Sequence, residues 1–367
     1  MRILHLAYED PQQPGSGGGA IRTREINRRL GVRHEITVVV AGYPGAATRV
    51  EDNVRWVPIG ARTGTKLDRL TYFALLGRQV AVQQYDLVVE DFGAPFSVGL
   101  SPLYTRAPIV ASVQWLFAAQ MRSKYHLPFD WIERRGLRFY DDFIVVSDWV
   151  ATTLRTWRPG AVSETIPNGV EEAAFATEPR QPAHLLYVGR LDIEHKGVDL
   201  LLEIVAQVRS RLGDRMPPVL IAGDGPDRGE LQRRVARGGL SRTIKFLGRI
   251  EGWEKYRLMA SAYGVLMPSR FETFGMVAVE SQAAGAPVVA FDVGPLAEVA
   301  GGGGARLVRP FDLAAFAREV AALVEEPALF QGVRHSGRYW AKGYDWDTIA
   351  KQQEAHYLRA LTRSHTG

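Results

Sequence analysis

Two glutamates, Glu272 and Glu280, stand eight positions apart within Pro268-Ser-Arg-Phe-Glu-Thr-Phe-Gly-Met-Val-Ala-Val-Glu-Ser-Gln-Ala-Ala-Gly-Ala-Pro-Val-Val-Ala290. The apolar run Gly264 to Met267 reads as a buried strand, Phe274 to about Ala284 as a small-residue helix, and Pro287 onward as the next strand. Strand, loop, helix, strand is the parallel α/β unit, whose ligands bind beyond the carboxyl ends of the strands. Glu272 then falls in the loop and Glu280 on the helix. Between them Phe274, Gly275 and Met276 offer unbonded amides at the helix start, which suit oxygen-rich ligands. Two carboxylates and a set of amides around one pocket fit a polyol such as a sugar. The spacing alone also fits two solvated glutamates beside a core helix, so the residues around the pair have to decide.

Those residues, Pro-Ser…Glu-Thr-Phe-Gly…Glu…Ala-Gly-Ala-Pro-Val-Val, resemble the Glu-x7-Glu signature of the retaining, nucleotide-sugar-dependent glycosyltransferases of family four, the glycogen-synthase/sucrose-synthase type. The resemblance implies a GT-B fold: α/β, with two doubly wound, Rossmann-like domains facing across a cleft. A second match is Leu185-Leu-Tyr-Val-Gly-Arg190-Leu-Asp-Ile-Glu-His-Lys196-Gly. It places Arg190 at the end of a strand and Lys196 just before a helix, both at the carboxyl edge of a sheet. In isolation the two would pass for surface cations. In this setting they resemble the family's donor-phosphate pair, a fork-shaped guanidinium and an ammonium that stabilise charge on a departing diphosphate.

By the same resemblance the backbone around Arg249 and Ile250, in Phe246-Leu-Gly-Arg-Ile250, edges the nucleobase. Glu280 accepts the ribose hydroxyls, and Glu272 binds the donor sugar with the Phe274, Gly275 and Met276 amides. Near the start of the chain, Gln13-Pro-Gly-Ser-Gly-Gly-Gly-Ala-Ile-Arg22 joins a strand to a helix, but Gly15, Gly17, Gly18 and Gly19 do not give G-x-G-x-x-G. As a bare string this is a flexible turn. The resemblance implies that Gly17 to Gly19 approach the donor phosphate or the acceptor, where only a backbone without side chains fits. The strand Pro108-Ile-Val-Ala-Ser-Val-Gln114 ends in glutamine where related enzymes usually carry a histidine near the donor sugar. Glutamine donates a hydrogen bond but is no titrating base. The match is strong over residues 184–300 and patchy before them.

The elements that must position these residues alternate strand and helix along the whole chain. The first half has expected strands at Arg2–Ala7, Glu35–Val40, Val54–Ile59, Asp86–Glu90, Pro108–Gln114 and Asp142–Ser147. Its expected helices run from about Ala20 to Leu30, from Lys66 to Gln84, and from Asp148, with Ser147 and Asp148 as candidate caps. The second half repeats the pattern with strands at His184–Gly189, Val219–Gly223, Ile244–Gly248, Gly264–Met267, Pro287–Phe291 and Arg306–Val308. Alternation at this spacing means parallel sheets covered on both faces. The boundaries read as 1–170 for an acceptor-side domain, 171–183 for a linker, 184–344 for a nucleotide-sugar-binding domain and 345–367 for a helix crossing back to the first domain. Asp345-Trp-Asp347 has the Asp-x-Asp form of metal-dependent transferases, but it sits where a helix cap is expected.

Composition bounds the rest. At 367 residues two domains are expected, and 46% apolar with 23% charged residues is ordinary for a globular protein. The absence of cysteine excludes disulfides and thiolate chemistry, and the eight histidines show no metal-ligand spacing. Neither a secretion signal nor a membrane-spanning run is read, so a cytoplasmic enzyme is expected. Residues 1–170 hold 20 Lys/Arg against 16 Asp/Glu, and the remainder 25 against 24. That excess is too mild for nucleic acid, though it permits peripheral contact of the first domain with the inner membrane face. The basic, aromatic segment Met121 to Arg138 fits either such a contact or, better, an amphipathic helix with a solvated face.

The expected activity is hexosyl transfer from a nucleotide-diphosphate sugar, UDP-linked by preference, to an acceptor hydroxyl with retention at the anomeric carbon. The acceptor is a saccharide, glycolipid or small natural product. No cofactor or metal is expected, since the nucleotide sugar is a co-substrate and Arg190 and Lys196 carry the charge. Two other classes share the fold: an epimerase of the UDP-N-acetylglucosamine type and a non-catalytic nucleotide-sugar-binding protein. Turnover of donor without acceptor would mark the first, and absence of turnover with any acceptor the second.

Overall fold

The structure is a computed structural model that describes residues 1–82, 84–93, 98–116 and 129–366. In chain order the first elements are β1 (Arg2–Leu6), α1 (Gly18–Leu30), β2 (Glu35–Ala41), β3 (Arg49–Glu51), β4 (Val54–Ile59), α2 (Lys66–Val82), β5 (Leu87–Asp91), β6 (Ile109–Val113), α3 (Phe129–Gly136), β7 (Asp142–Val145), α4 (Asp148–Trp157) and β8 (Val162–Thr165). There follow α5 (Glu172–Phe175), β9 (His184–Val188), α6 (Ile193–Lys196), α7 (Val198–Leu212), β10 (Val219–Ala222), α8 (Arg228–Arg237), β11 (Ile244–Gly248), α9 (Gly252–Ala260) and β12 (Ala262–Met267). The chain closes with α10 (Met276–Ala283), β13 (Val288–Phe291), α11 (Leu296–Val299), β14 (Ala305–Val308), α12 (Leu313–Glu325), α13 (Pro327–Ala341) and α14 (Trp346–Thr366). No helix among the described residues is long and apolar enough to cross a membrane.

The chain divides into two compact units, Met1–Asn168 with Trp346–Gly367, and Gly169–Asp345. The first contains an eight-stranded sheet in the order β3-β4-β2-β1-β5-β6-β7-β8, parallel except for β3. Alternation along β1 sends Ile3 to one face, with Ile26 and Leu30 of α1, and Leu4 and Leu6 to the other, with Tyr72, Leu76 and Val80 of α2. His5 follows Ile3 in phase and is buried on the α1 face. The second unit has a fully parallel six-stranded sheet in the order β11-β10-β9-β12-β13-β14. Its core packs Leu185 and Tyr187 of β9 with Leu201, Val205 and Val208 of α7 and Phe316 and Val320 of α12.

Several boundaries differ from the sequence reading. Residues 171–183, read as a linker, belong to the second unit: they include α5, Glu171 accepts from the Tyr256 hydroxyl at 2.8 Å, and the Arg180 amide bonds Ala260 O at 3.0 Å. Strands β3 and β8 were not read, being short and only partly buried. Ser147 alone caps α4, its Oγ accepting from the Val150 amide at 3.2 Å, whereas the Asp148 carboxylate accepts from the Thr165 hydroxyl at 2.6 Å. Of the basic segment, residues 121–128 lie outside the described residues. In α3, Arg135 stacks 4.9 Å from the exposed Trp131 ring and Arg134 5.1 Å from Trp157.

The last helix is an integral part of the first unit. Trp346, Ile349 and Tyr357 of α14 enter the same apolar cluster as Ile26 and Leu30. Buried Arg22 of α1 donates to Ile166 O (3.0 Å), Pro167 O (2.6 Å), Asn168 Oδ1 (3.1 Å) and Gln353 Oε1 of α14 (2.6 Å). Burial lowers its guanidinium to about 10, which leaves it charged at neutral pH. Further along, His356 lies between Asp142 and Glu164, 2.7 Å from each, and Arg359 and Arg363 bind the same two carboxylates. Asp347, in the first turn of α14, is held by Arg29 of α1 at 2.5 Å.

Candidate active site

The strand order of the second unit reverses direction between β9 and β12. At such a switch point the loops leaving two neighbouring strands diverge and open a crevice at their carboxyl ends. Arg190 and Lys196 lie on the loop and short helix after β9, and Glu272 on the loop after β12, so two motifs distant in sequence meet at one sheet edge. The two loops touch: a Cβ on Gly197 would sit 2.1 Å from Pro268 O, and Gly197 itself has φ +59°. Only glycine suits that backbone and that approach. Arg270 fastens the junction, donating to Ile193 O at 2.7 Å and in a fork to Asp199 at 2.7 and 2.8 Å.

Lys196 Nζ donates to Glu272 Oε1 at 2.7 Å, and Ser269 Oγ donates to the same oxygen at 2.7 Å. Arg190 is exposed and pairs with Asp192 at 2.7 Å. Asp192 also caps α6, accepting from the His195 amide at 3.0 Å. Burial alone would raise the Asp192 carboxyl; bonds from the His195 amide and ring, with the Arg190 charge, outweigh it and hold it below the usual carboxylate range. Glu280, on α10, is buried and accepts from Lys255 Nζ of α9 at 2.9 Å. Burial pushes its carboxyl up, against the opposing pull of Lys255.

The helix α10 begins two residues later than the sequence suggests. Gly275, at φ +90°, precedes it, and a Cβ there would meet Leu296 Cδ2 at 2.4 Å. The helix has no side-chain cap and no acidic residue in its first turn. Its open end is therefore at Met276 and Val277; Phe274 is a buried ring against Tyr344, centroids 6.1 Å apart. Arg249 is exposed and tied to Glu251 at 2.5 Å.

Sequence reasoning missed Asp192 and Lys255. Each is the counter-charge of a residue it did name, and the only signal was that a buried or motif-held charge requires a partner. The outcome is three cation–carboxylate pairs, Arg190–Asp192, Lys196–Glu272 and Lys255–Glu280. Arg190 and Lys196 are carried on long side chains at the rim of the sheet, and each is paired with a carboxylate there.

Gly17, Gly18, Gly19 and Gln114 lie in the first unit: the glycines follow β1, at its own switch point between β1 and β5, and Gln114 follows β6, the next strand beyond β5. Gly17 precedes α1, its amide donating to Glu9 at 3.0 Å, and Gly18 and Gly19 form the first turn. Gly19 and Gln114 line one cleft there.

Comparison with known proteins bears on the fold and on each half of the chain. Residues 16–174 match the family model described as Glycosyltransferase Family 4, and residues 182–326 the model described as Glycosyl transferases group 1. The glycogen synthase of Mycobacterium tuberculosis is 34% identical over 210 residues, 55% of this chain and 50% of that protein. The phosphatidyl-myo-inositol mannosyltransferase of Mycobacterium leprae is 32% identical over 227 residues, 59% of each. The chain thus spans about half to three-fifths of the length of these curated relatives. Among solved structures, sucrose-phosphate synthase from Thermosynechococcus elongatus superposes with a TM-score of 0.80 at 22% identity, covering 99% of both chains. Anabaena HepE, solved with UDP and glucose, superposes with a TM-score of 0.72 at 20% identity, covering 98% of this chain and 100% of that one. The chain has the GT-B fold, and a glycosyltransferase family model matches each half of it.

Proposed function

We propose that the protein transfers a sugar from a nucleotide-diphosphate sugar, UDP-linked by preference, to an acceptor hydroxyl with retention of the anomeric configuration. The observation that carries the proposal is the meeting of Arg190, Lys196 and Glu272 at the β9–β12 switch point, with Lys196 and Glu272 in direct contact at 2.7 Å. The two cations take the charge that develops on the diphosphate as the glycosidic bond breaks. In this reading the acceptor hydroxyl attacks from the leaving group's side and passes its proton to a phosphate oxygen. The roles left to protein carboxylates are then those of hydroxyl acceptors: Glu272 toward the sugar and Glu280 toward the ribose. The UDP complex of Anabaena HepE supports uracil as the base. Charge supplied by Arg190 and Lys196 supports transfer without a divalent metal.

The test is a transfer assay with UDP-, GDP- and ADP-sugars after dialysis against EDTA, with the product's anomeric configuration read by proton NMR. Retained configuration, preference for a UDP-sugar and activity in chelator are expected. An inverted product refutes the retaining mechanism, and abolition by EDTA with rescue by manganese refutes the two-cation scheme.

A further inference from the structure

Of the three cation–carboxylate pairs, Lys255–Glu280 lies deepest. The Lys255 side chain is 17% exposed, against 29% for Lys196 and 59% for Arg190. Lys255 Nζ donates to Glu280 Oε1 at 2.9 Å. The other oxygen of Glu280 accepts no hydrogen bond among the described residues, and it is not sealed from solvent. One oxygen tied and one open makes the carboxylate an acceptor with a fixed direction. The ammonium is itself held in place. It sits 4.6 Å from the centre of the Tyr256 ring, and the Tyr256 hydroxyl donates to Glu171 at 2.8 Å.

The charge of Glu280 depends on that contact. Burial pushes its carboxyl up, the charge and hydrogen bond of Lys255 pull it down, and Glu171 adds a smaller upward push. The other elements packed on α10 bring no competing cation to it. On α13, Arg334 donates to the carbonyls of Gly285 and Ala260, and Arg338 to that of Phe175. On β12 the titratable group is Tyr263, stacked on Phe330, and on α11 it is Glu298; β13 has none. Lys255 is therefore the one cation among the described residues that acts on Glu280. A buried carboxylate that loses its cation takes up a proton sooner than it stays charged and unpaired.

We propose that Lys255 is a positioning residue of the nucleotide site: it keeps Glu280 a carboxylate and turns its open oxygen to the ligand, so that nucleotide affinity does not vary with pH through Glu280. The inference deepens the transferase reading, and it rests on that reading in giving Glu280 the ribose. A charged acceptor binds a hydroxyl about twice as strongly as a neutral one, so losing the charge should cost roughly tenfold in affinity. The sign follows from the direction of the shift. Without Lys255 the carboxyl rises further, Glu280 is neutral at and below neutral pH, and its charge returns as pH rises.

The test measures UDP affinity by calorimetric titration at about pH 6.5 and about pH 9, within the range in which a buried glutamate titrates. Each affinity is divided by that of wild type at the same pH, which cancels the titration of UDP's own terminal phosphate near about pH 6. Lys255→Met is expected to bind about tenfold more weakly at the lower pH and within about threefold of wild type at the higher. Lys255→Gln should follow the same pattern, and it keeps a neutral donor for Glu280 should the methionine variant fail to fold. Lys255→Arg should stay within about threefold of wild type at both. Glu280→Gln should be about tenfold weaker at both, and adding Lys255→Met to it should restore no pH dependence. A merely structural role for Lys255 would weaken UDP equally at the two pH values, and that result overturns the proposal. So does a pH dependence that survives in the double variant, or affinity within twofold of wild type for Lys255→Met and Lys255→Gln at the lower pH. Failure of the wild-type chain to bind UDP, or wild-type affinity in Glu280→Gln, counts instead against the transferase reading of the site, and the proposal falls with it.

Discussion

Replacing Lys196 by methionine separates the two jobs the structure gives this side chain, pairing with Glu272 and meeting the diphosphate. In the unliganded protein the variant leaves Glu272, 8% exposed at its side chain, with the Ser269 hydroxyl but without its cation. A partly satisfied buried carboxylate costs about 1–3 kcal/mol. For a unit of this size each kcal/mol lowers the melting temperature by about 2–4 °C. Adding Glu272→Gln removes the unpaired charge, so the double variant should recover most of that loss. UDP affinity should behave differently. A charge-assisted bond to phosphate contributes about 1.5–3 kcal/mol, so Lys196→Met should weaken UDP roughly ten- to hundredfold. Glu272→Gln alone releases Lys196 and should leave UDP affinity unchanged or raised. The double variant should bind UDP as weakly as Lys196→Met. Calorimetric melting and UDP titration on the four proteins give both readouts. UDP affinity of Lys196→Met within twofold of wild type would show that Lys196 is only the counter-ion of Glu272, and the phosphate assignment would fall.

Glu280→Gln should raise the donor KM with little change in kcat, because a ribose contact contributes about equally in ground and transition states. The reverse pattern in steady-state kinetics would exchange its role with that of Glu272. The carboxylates around His356 set an acid limit on stability. Burial alone would raise Asp142 and Glu164, but bonds from His356, Arg363 and Arg359 hold both below their ordinary values. A depressed folded pKa means that the unfolded chain takes up protons first as pH falls. The contribution is therefore full above the ordinary carboxylate range and is lost on acidification through the folded values. The melting-temperature gap between wild type and Asp142→Asn should be present at pH 7 and close toward pH 3; a gap that persists unchanged at pH 3 would refute the clasp.

The central strands were legible because they are buried on both faces, as the apolar runs Leu185–Tyr187 and Val288–Phe291 are. Strands β3 and β8 escaped because edge strands carry mixed, half-exposed residues such as Arg49-Val-Glu51 and Val162-Ser-Glu-Thr165. In the site, Arg190, Lys196, Glu272 and Glu280 were legible from local motif setting. Asp192 and Lys255 were not, because their meaning lies in which charge they face; for Lys255 the partner is 25 positions away, on another helix. His5 was unreadable for the same reason: it looks like one more residue of an apolar strand until Asn27 and Asp91 are placed around it. The helix cap at Gly275 shows the opposite error, an N-terminus placed too early because Phe274 matches the helical pattern while serving as a core ring.

The place of α14 has a consequence for synthesis. The second unit, Gly169–Asp345, is an insertion of 177 residues between two pieces of the first. A ribosome adding about 5–20 residues per second delivers it in roughly 9–35 s. Throughout that interval the nascent first unit lacks Trp346, Ile349 and Tyr357, and Arg22 lacks the Gln353 oxygen. The inserted unit contains its whole sheet and can close first. The amino-terminal part of the chain is thus the last to finish, and until then it carries an open apolar groove along α1 that a chaperone could shield.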